Sequence, residues 1–135
     1  MGNRTRGAIF AVCLATLLGG CGGGSSSDED QVRDVITSFV QAGKDRDAAK
    51  ACSLLSADQV KSVEQLGGGS CATILGGIFS KAKDVGTDVE IQDVRVEGDR
   101  ATVDATVKAP GSQPKAESFL VVKEDGEWKL ASAGL

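Results

Sequence analysis

Asp88-Val-Glu-Ile-Gln-Asp-Val-Arg-Val-Glu97, followed across Gly98-Asp99 by Arg100-Ala-Thr-Val-Asp-Ala-Thr-Val-Lys108, alternates apolar and polar residues along most of its length. Successive side chains on a strand point to opposite faces, so a period of two predicts half-buried β-strands. Val89 and Ile91 alternate in one register and Val94 and Val96 in another, and the break at Gln92-Asp93 predicts a bulge. Glu97-Gly98-Asp99 supplies a turn, and Ala101, Val103, Ala105 and Val107 give the second arm of an antiparallel hairpin. Pro110-Gly-Ser-Gln-Pro114 leads to a third strand, Lys115 to Lys123, and Glu124-Asp-Gly-Glu127 turns the chain into a fourth, Trp128 to Ala133.

The third strand is apolar on both faces: Phe119 and Val121 point one way, Leu120 and Val122 the other. Helices can cover one face; the other calls for sheet curvature, a second subunit or a binding partner. Phe119 and Val121, with the single tryptophan Trp128, are therefore candidates for contact with a ligand or partner. The competing expectation for Trp128 is a core residue that keeps its indole N–H near a strand end.

Upstream the period changes to that of a helix. Val32, Val35, Ile36, Phe39 and Val40 make one apolar face behind the acidic start Asp28-Glu-Asp30, whose carboxylates suit a helix N-terminus. Gln41-Ala-Gly43 closes this helix, and Lys44-Asp-Arg-Asp47 turns into a second bearing Ala48, Ala51, Cys52, Leu54 and Leu55. Ser56-Ala-Asp-Gln59 resembles a capping box opening a third helix through Val63. Gly67-Gly-Gly69 breaks the chain before Ser70 caps a fourth helix with Ala72, Ile74, Leu75, Ile78 and Phe79, which Lys81 and Lys83 terminate favourably. Those glycines are not a phosphate loop, since no Gly-Lys-Ser/Thr follows and no strand leads in. Gly76-Gly77 marks either a close backbone approach or a kink.

The N-terminus reads as an address. Met1-Gly-Asn-Arg-Thr-Arg6 is positively charged, Ala8 to Leu18 is apolar but only 11 residues long, and Leu18-Gly-Gly-Cys21 follows. A span needs about 20 helical residues, so this segment predicts a secretion signal over 1–20. The terminal motif resembles a lipobox, in which the Cys21 thiol takes a diacylglyceryl group; the alternative is an ordinary secretory signal with an accidental cysteine. Two or more acyl chains make a stable anchor, so the expected location is a cell membrane, on its extracytoplasmic side. Residues 21–27, the lipidated cysteine and Gly22 to Ser27, then form a tether reaching about 13 Å root-mean-square. One α+β domain occupies 28–135.

Export makes a Cys52–Cys71 disulfide the default, because disulfides persist outside the cytoplasm; a redox-active pair is the alternative, although the spacing is not Cys-x-x-Cys. Without Arg4 and Arg6 the 15 basic residues fall to 13 against 19 acidic ones, a net charge of −6 that argues against nucleic acid. The chain has no histidine and no tyrosine, which removes catalytic triads, His-ligated metals and tyrosine oxyanion holes. Asp84, Asp88, Glu90, Asp93 and Asp99 lack calcium-loop spacing and read as a solvated face. No cofactor and no metal is expected.

Helices followed by an antiparallel meander, with Asp125-Gly-Glu-Trp-Lys-Leu130 near the end, resemble the nuclear transport factor two-like superfamily, in particular its small lipoproteins with a cysteine pair in the helical half. The resemblance implies N-terminal helices packed on a curved four-stranded sheet, a cone with a pocket at its open end, often in a dimer. Family enzymes place Asp, Tyr, His or Arg in that pocket; no motif here carries those residues over. Two functions are expected. The first is a non-catalytic, membrane-anchored module binding an envelope protein or a small apolar ligand. The second is a surface enzyme with a pocket carboxylate, Asp93 or Asp104 being the nearest candidates by strand position.

Overall fold

The computed structural model describes residues 27–82 and 86–133. Cys21, the signal segment and most of the Gly/Ser tether lie outside the described residues, as do Lys83 and Asp84. Four helices, α1 (Asp28–Lys44), α2 (Ala48–Ser53), α3 (Ala57–Gly67) and α4 (Cys71–Lys81), precede four strands, β1 (Asp88–Glu97), β2 (Arg100–Lys108), β3 (Lys115–Glu124) and β4 (Glu127–Ala133). The strands form one antiparallel meander in the order β1-β2-β3-β4.

Each helix starts on a side chain that accepts a bond from an otherwise unpaired backbone N–H. Ser27 accepts from Asp30, Asp47 from Lys50, Ser56 from Gln59 and Ser70 from Thr73. α3 runs past the expected Val63 to Gly67 and stops because Gly68 takes the left-handed conformation, φ 66°. α4 is continuous through Gly76-Gly77, and a Cβ at Gly76 would sit 3.8 Å from that of Ala48 on α2. That is an ordinary van der Waals distance, and a Cβ at Gly77 would meet nothing within 4 Å, so neither glycine is required by a close approach. Among the described residues no helix is long and apolar enough to cross a membrane.

The sheet follows the alternation of its sequence. The register shifts between Ile91 and Asp93, at the expected bulge, and keeps Val94 buried on the same face as Val103 and Ala105. Asp125 and Gly126, both at positive φ, close the two-residue β3–β4 loop, as a hairpin turn matched to strand twist requires. Val32, Val35 and Ile36 of α1 pack on the inner face over Val103, Phe119, Val121 and Leu130. At about 25 cal/mol per Å² of apolar surface, this one-sided burial is the main force holding helices to sheet.

One expectation fails. Leu54 and Leu55 do not continue α2; they leave it to lie beside the edge strand β4. The Ser56 amide donates to the Leu130 carbonyl at 2.8 Å, and the Leu130 amide donates to the Leu54 carbonyl at 2.8 Å. This short parallel bridge at Leu55 and Leu130 covers an edge that would otherwise present unpaired backbone groups. On the outer face Leu120 and Val122 are half-buried.

Candidate functional site

The inner face of the sheet is not fully covered. Past Ile36 the apolar stripe of α1 continues to Phe39 and Val40, which are only half-buried. They form one wall of a groove of about 310 Å³. Ile78 and Phe79 of α4 form the opposite wall, and Val89, Val107 and Phe119 of three successive strands make the floor. Ile78 is 55% exposed, which for a large apolar side chain shows that the groove is open. The volume falls at the small end of the range for ligand pockets.

Glu117 is the one carboxylate among the groove-lining residues, and Lys115 pairs with it at 3.1 Å. It stands opposite Ala105 on the inner face, in phase with Phe119 and Val121. That parity could have identified it from sequence.

The structure separates the residues expected at a contact surface. Phe119 lines the groove, whereas Val121 is 0% exposed in the core and Trp128 only 4%. A ligand in the groove does not meet either of those two side chains, because α1 and the hairpin enclose them. The Trp128 indole N–H donates to Asp28 Oδ1 at 3.0 Å, and Lys123 Nζ donates to the same oxygen at 2.9 Å while standing 5.3 Å from the Trp128 ring centre. The bond from Lys123, then that from Trp128, holds the Asp28 carboxyl below its usual range. These contacts clasp the first residue of α1 to the β3–β4 hairpin. The groove lies at the last turns of the same helix, which at 1.5 Å per residue is about 20 Å away.

The candidate catalytic carboxylates are corrected. Asp93 and Asp104 stand on the outer face of the sheet, because Val94 and the Val103/Ala105 pair take the inward positions beside them. Asp104 accepts from Arg95 at 2.6 Å and from Ser118 Oγ at 2.6 Å, and Asp93 faces Arg95 at 3.8 Å. Neither reaches the groove. Two further acids of that stretch pair with bases: Asp88 with Lys44, which lowers its carboxyl below the usual range, and Glu90 with Lys108. Among the described residues no three acidic or cysteine side chains converge as a metal site.

The two remaining cysteines form the expected bridge, with Cα atoms 6.1 Å apart. It joins the end of α2 to the first residue of α4, and Cys71 is buried at 4% exposure. Behind Phe39, on the side away from the groove, a second cavity of about 150 Å³ lies between α3, α4 and β4.

Helices over one face of an antiparallel meander, with an open groove between them, define a nuclear transport factor two-like (NTF2-like), cystatin-like α+β cone. Solved structures of that fold agree. An NTF2-like protein of unknown function from Shewanella baltica OS155 is 13% identical, with 77% of this chain and 88% of that chain covered and a TM-score of 0.53. A putative dehydratase of the NTF2-like family from Streptomyces avermitilis is 20% identical, covering 79% and 93%, with a TM-score of 0.54. A protein of unknown function with a cystatin-like fold from Nostoc punctiforme PCC 73102 is 16% identical, covering 79% and 88%, with a TM-score of 0.54. More narrowly, residues 30–135 match the C-terminal domain of the low molecular weight antigen MTB12, and the chain belongs to that family. A comparison with curated protein sequences found no match.

Proposed function

We propose that this protein is a lipid-anchored binding module that holds a small apolar molecule in the groove between α1, α4 and the sheet. The observation that carries the proposal is the groove itself: open, walled by Phe39, Ile78 and Phe79, floored by Val89, Val107 and Phe119, with one ion-paired carboxylate at its side. Apolar surface left in contact with water at a concave site is what a ligand gains by covering.

The anchor through Cys21 fits this arrangement. The tether joins the domain at the Asp28 clasp, at the end of α1 opposite the groove, so the groove stands about 20 Å from the point of attachment. A Cys21→Ala protein should move from the membrane fraction to the soluble exported fraction; wild type and variant fractionating alike would remove the anchor from the proposal.

Groove binding is tested by displacement of a polarity-sensitive dye with hexanol. Ile78→Lys places a charge in the groove wall at an exposed position and should weaken binding roughly tenfold while leaving the melting temperature unchanged. An enzyme using a pocket carboxylate is the second reading, and Glu117 is now its residue. Glu117→Gln leaves a pure binding site working, whereas it abolishes turnover that depends on the carboxylate.

A further inference from the structure

Glu117 is the one charged side chain among the described residues that line the groove, and that side chain keeps 24% of its surface exposed. It stands on the inner face of β3, two residues before buried Phe119, and faces Ala105 of β2, which has no polar side-chain atom to offer it. Apart from Thr87 the other lining side chains are apolar. Lys44 is paired with Asp88, Lys108 with Glu90, and Arg46 donates to the Ala82 carbonyl at 3.2 Å; none of these three cations lines the groove. Lys115 Nζ donates to Glu117 Oε1 at 3.1 Å, but Lys115 is 75% exposed, so the pair is of the weak surface kind. A carboxylate has room for about four donors, and Lys115 fills one place. A molecule that covers the groove takes water away from Glu117. A purely apolar body leaves that loss uncompensated, a second carboxylate adds repulsion, and a protonated amine restores a charge-assisted hydrogen bond.

Resting on the groove reading above, we infer that the groove selects small apolar amines. The hydrocarbon lies along Phe79, Val107 and Phe119, and the ammonium group donates to the Glu117 carboxylate. Lys115 is then a competitor for that carboxylate, and its exposed ammonium gives way into water at little cost. A fatty acid of the same length is rejected, because its own carboxylate meets Glu117 across a groove that no described cation lines.

The test uses the full protein and a neutral polarity-sensitive dye, displaced at neutral pH by hexylamine, hexanol or hexanoate, so that the amine is protonated and the acid ionised. Wild type should bind hexylamine roughly tenfold more tightly than hexanol, with hexanoate the weakest of the three. Glu117→Gln should abolish the preference for the amine and bind hexanol no more weakly than wild type, which also shows that the groove is intact. Asp104→Asn removes the same unit of charge from the outer face and should keep the full preference, which separates contact in the groove from the attraction of an acidic surface. Lys115→Met frees the carboxylate and should widen the preference about threefold. Three results overturn the inference and, while hexanol still binds, leave the groove reading standing: a wild type that binds hexanol or hexanoate as tightly as hexylamine, a Glu117→Gln protein that still prefers the amine, or a Lys115→Met protein with a narrower preference. Failure of wild type to bind either hexanol or hexylamine overturns both.

Discussion

Opening the Cys52–Cys71 bridge changes the unfolded chain more than the folded one. The bridge spans 19 residues and encloses the whole of α3, so it denies the unfolded chain every conformation in which those two ends separate. On the chain-entropy account a loop of this length contributes about 3 kcal/mol. Buried Cys71 loses no packing when its sulfur becomes a thiol, so reduction isolates the cross-link from the cavity that a cysteine replacement adds. For a domain near 100 residues, 1 kcal/mol moves the melting temperature by about 4–8 °C. Reduction should therefore lower it by roughly 12–24 °C, as followed by circular dichroism with thiol counting to confirm that the bridge is open. The urea m-value should rise at the same time, because a chain freed of its cross-link exposes more surface. A fully reduced protein melting within about 3 °C of the oxidised one would refute the reasoning, and would mean that α2 and α4 are held by packing alone.

Ile36, 2% exposed under α1, should cost about 2–5 kcal/mol when replaced by alanine, whereas Leu66→Ala, at a position 90% exposed, should change stability by less than about 0.5 kcal/mol; urea titration of the pair checks where the core lies. The Asp28 carboxyl is held low by Lys123 and Trp128, so its contribution to stability is complete above its ordinary value of 3.8 and is lost as pH falls below that value through the folded one. Melting temperatures below pH 4 should therefore drop less steeply for Asp28→Asn than for wild type; parallel curves would contradict the clasp. Asp104→Asn removes an ion pair that stays more than one-third exposed, and should cost no more than about 1 kcal/mol and leave groove binding unchanged.

Much of the fold was legible because local chemistry and global structure agree. The alternation of Val89 through Val107 needed only a period of two, and the bulge announced itself as a break in that period. The caps Ser56 and Ser70 stood directly before their helices. Leu54 and Leu55 misled because their spacing suits a helix, while the deciding interaction is a pair of backbone bonds to Leu130, distant in the chain. The site was harder. Asp93 and Asp104 attracted attention as strand carboxylates, although the apolar residues beside them already claimed the inward positions. Glu117 shares the parity of Phe119 and Val121 and went unremarked beside its more conspicuous neighbours.

The most direct test of the central claim, that the groove is a binding site for apolar molecules, is the map of backbone amide chemical-shift changes as hexanol is added to the isotope-labelled protein. Saturable changes centred on Phe39, Gly43, Ile78, Thr87, Val107 and Phe119, with Thr102, Asp104 and Leu120 on the outer face still, are the predicted result. Changes confined to the outer face, or no saturable change at all, would contradict it.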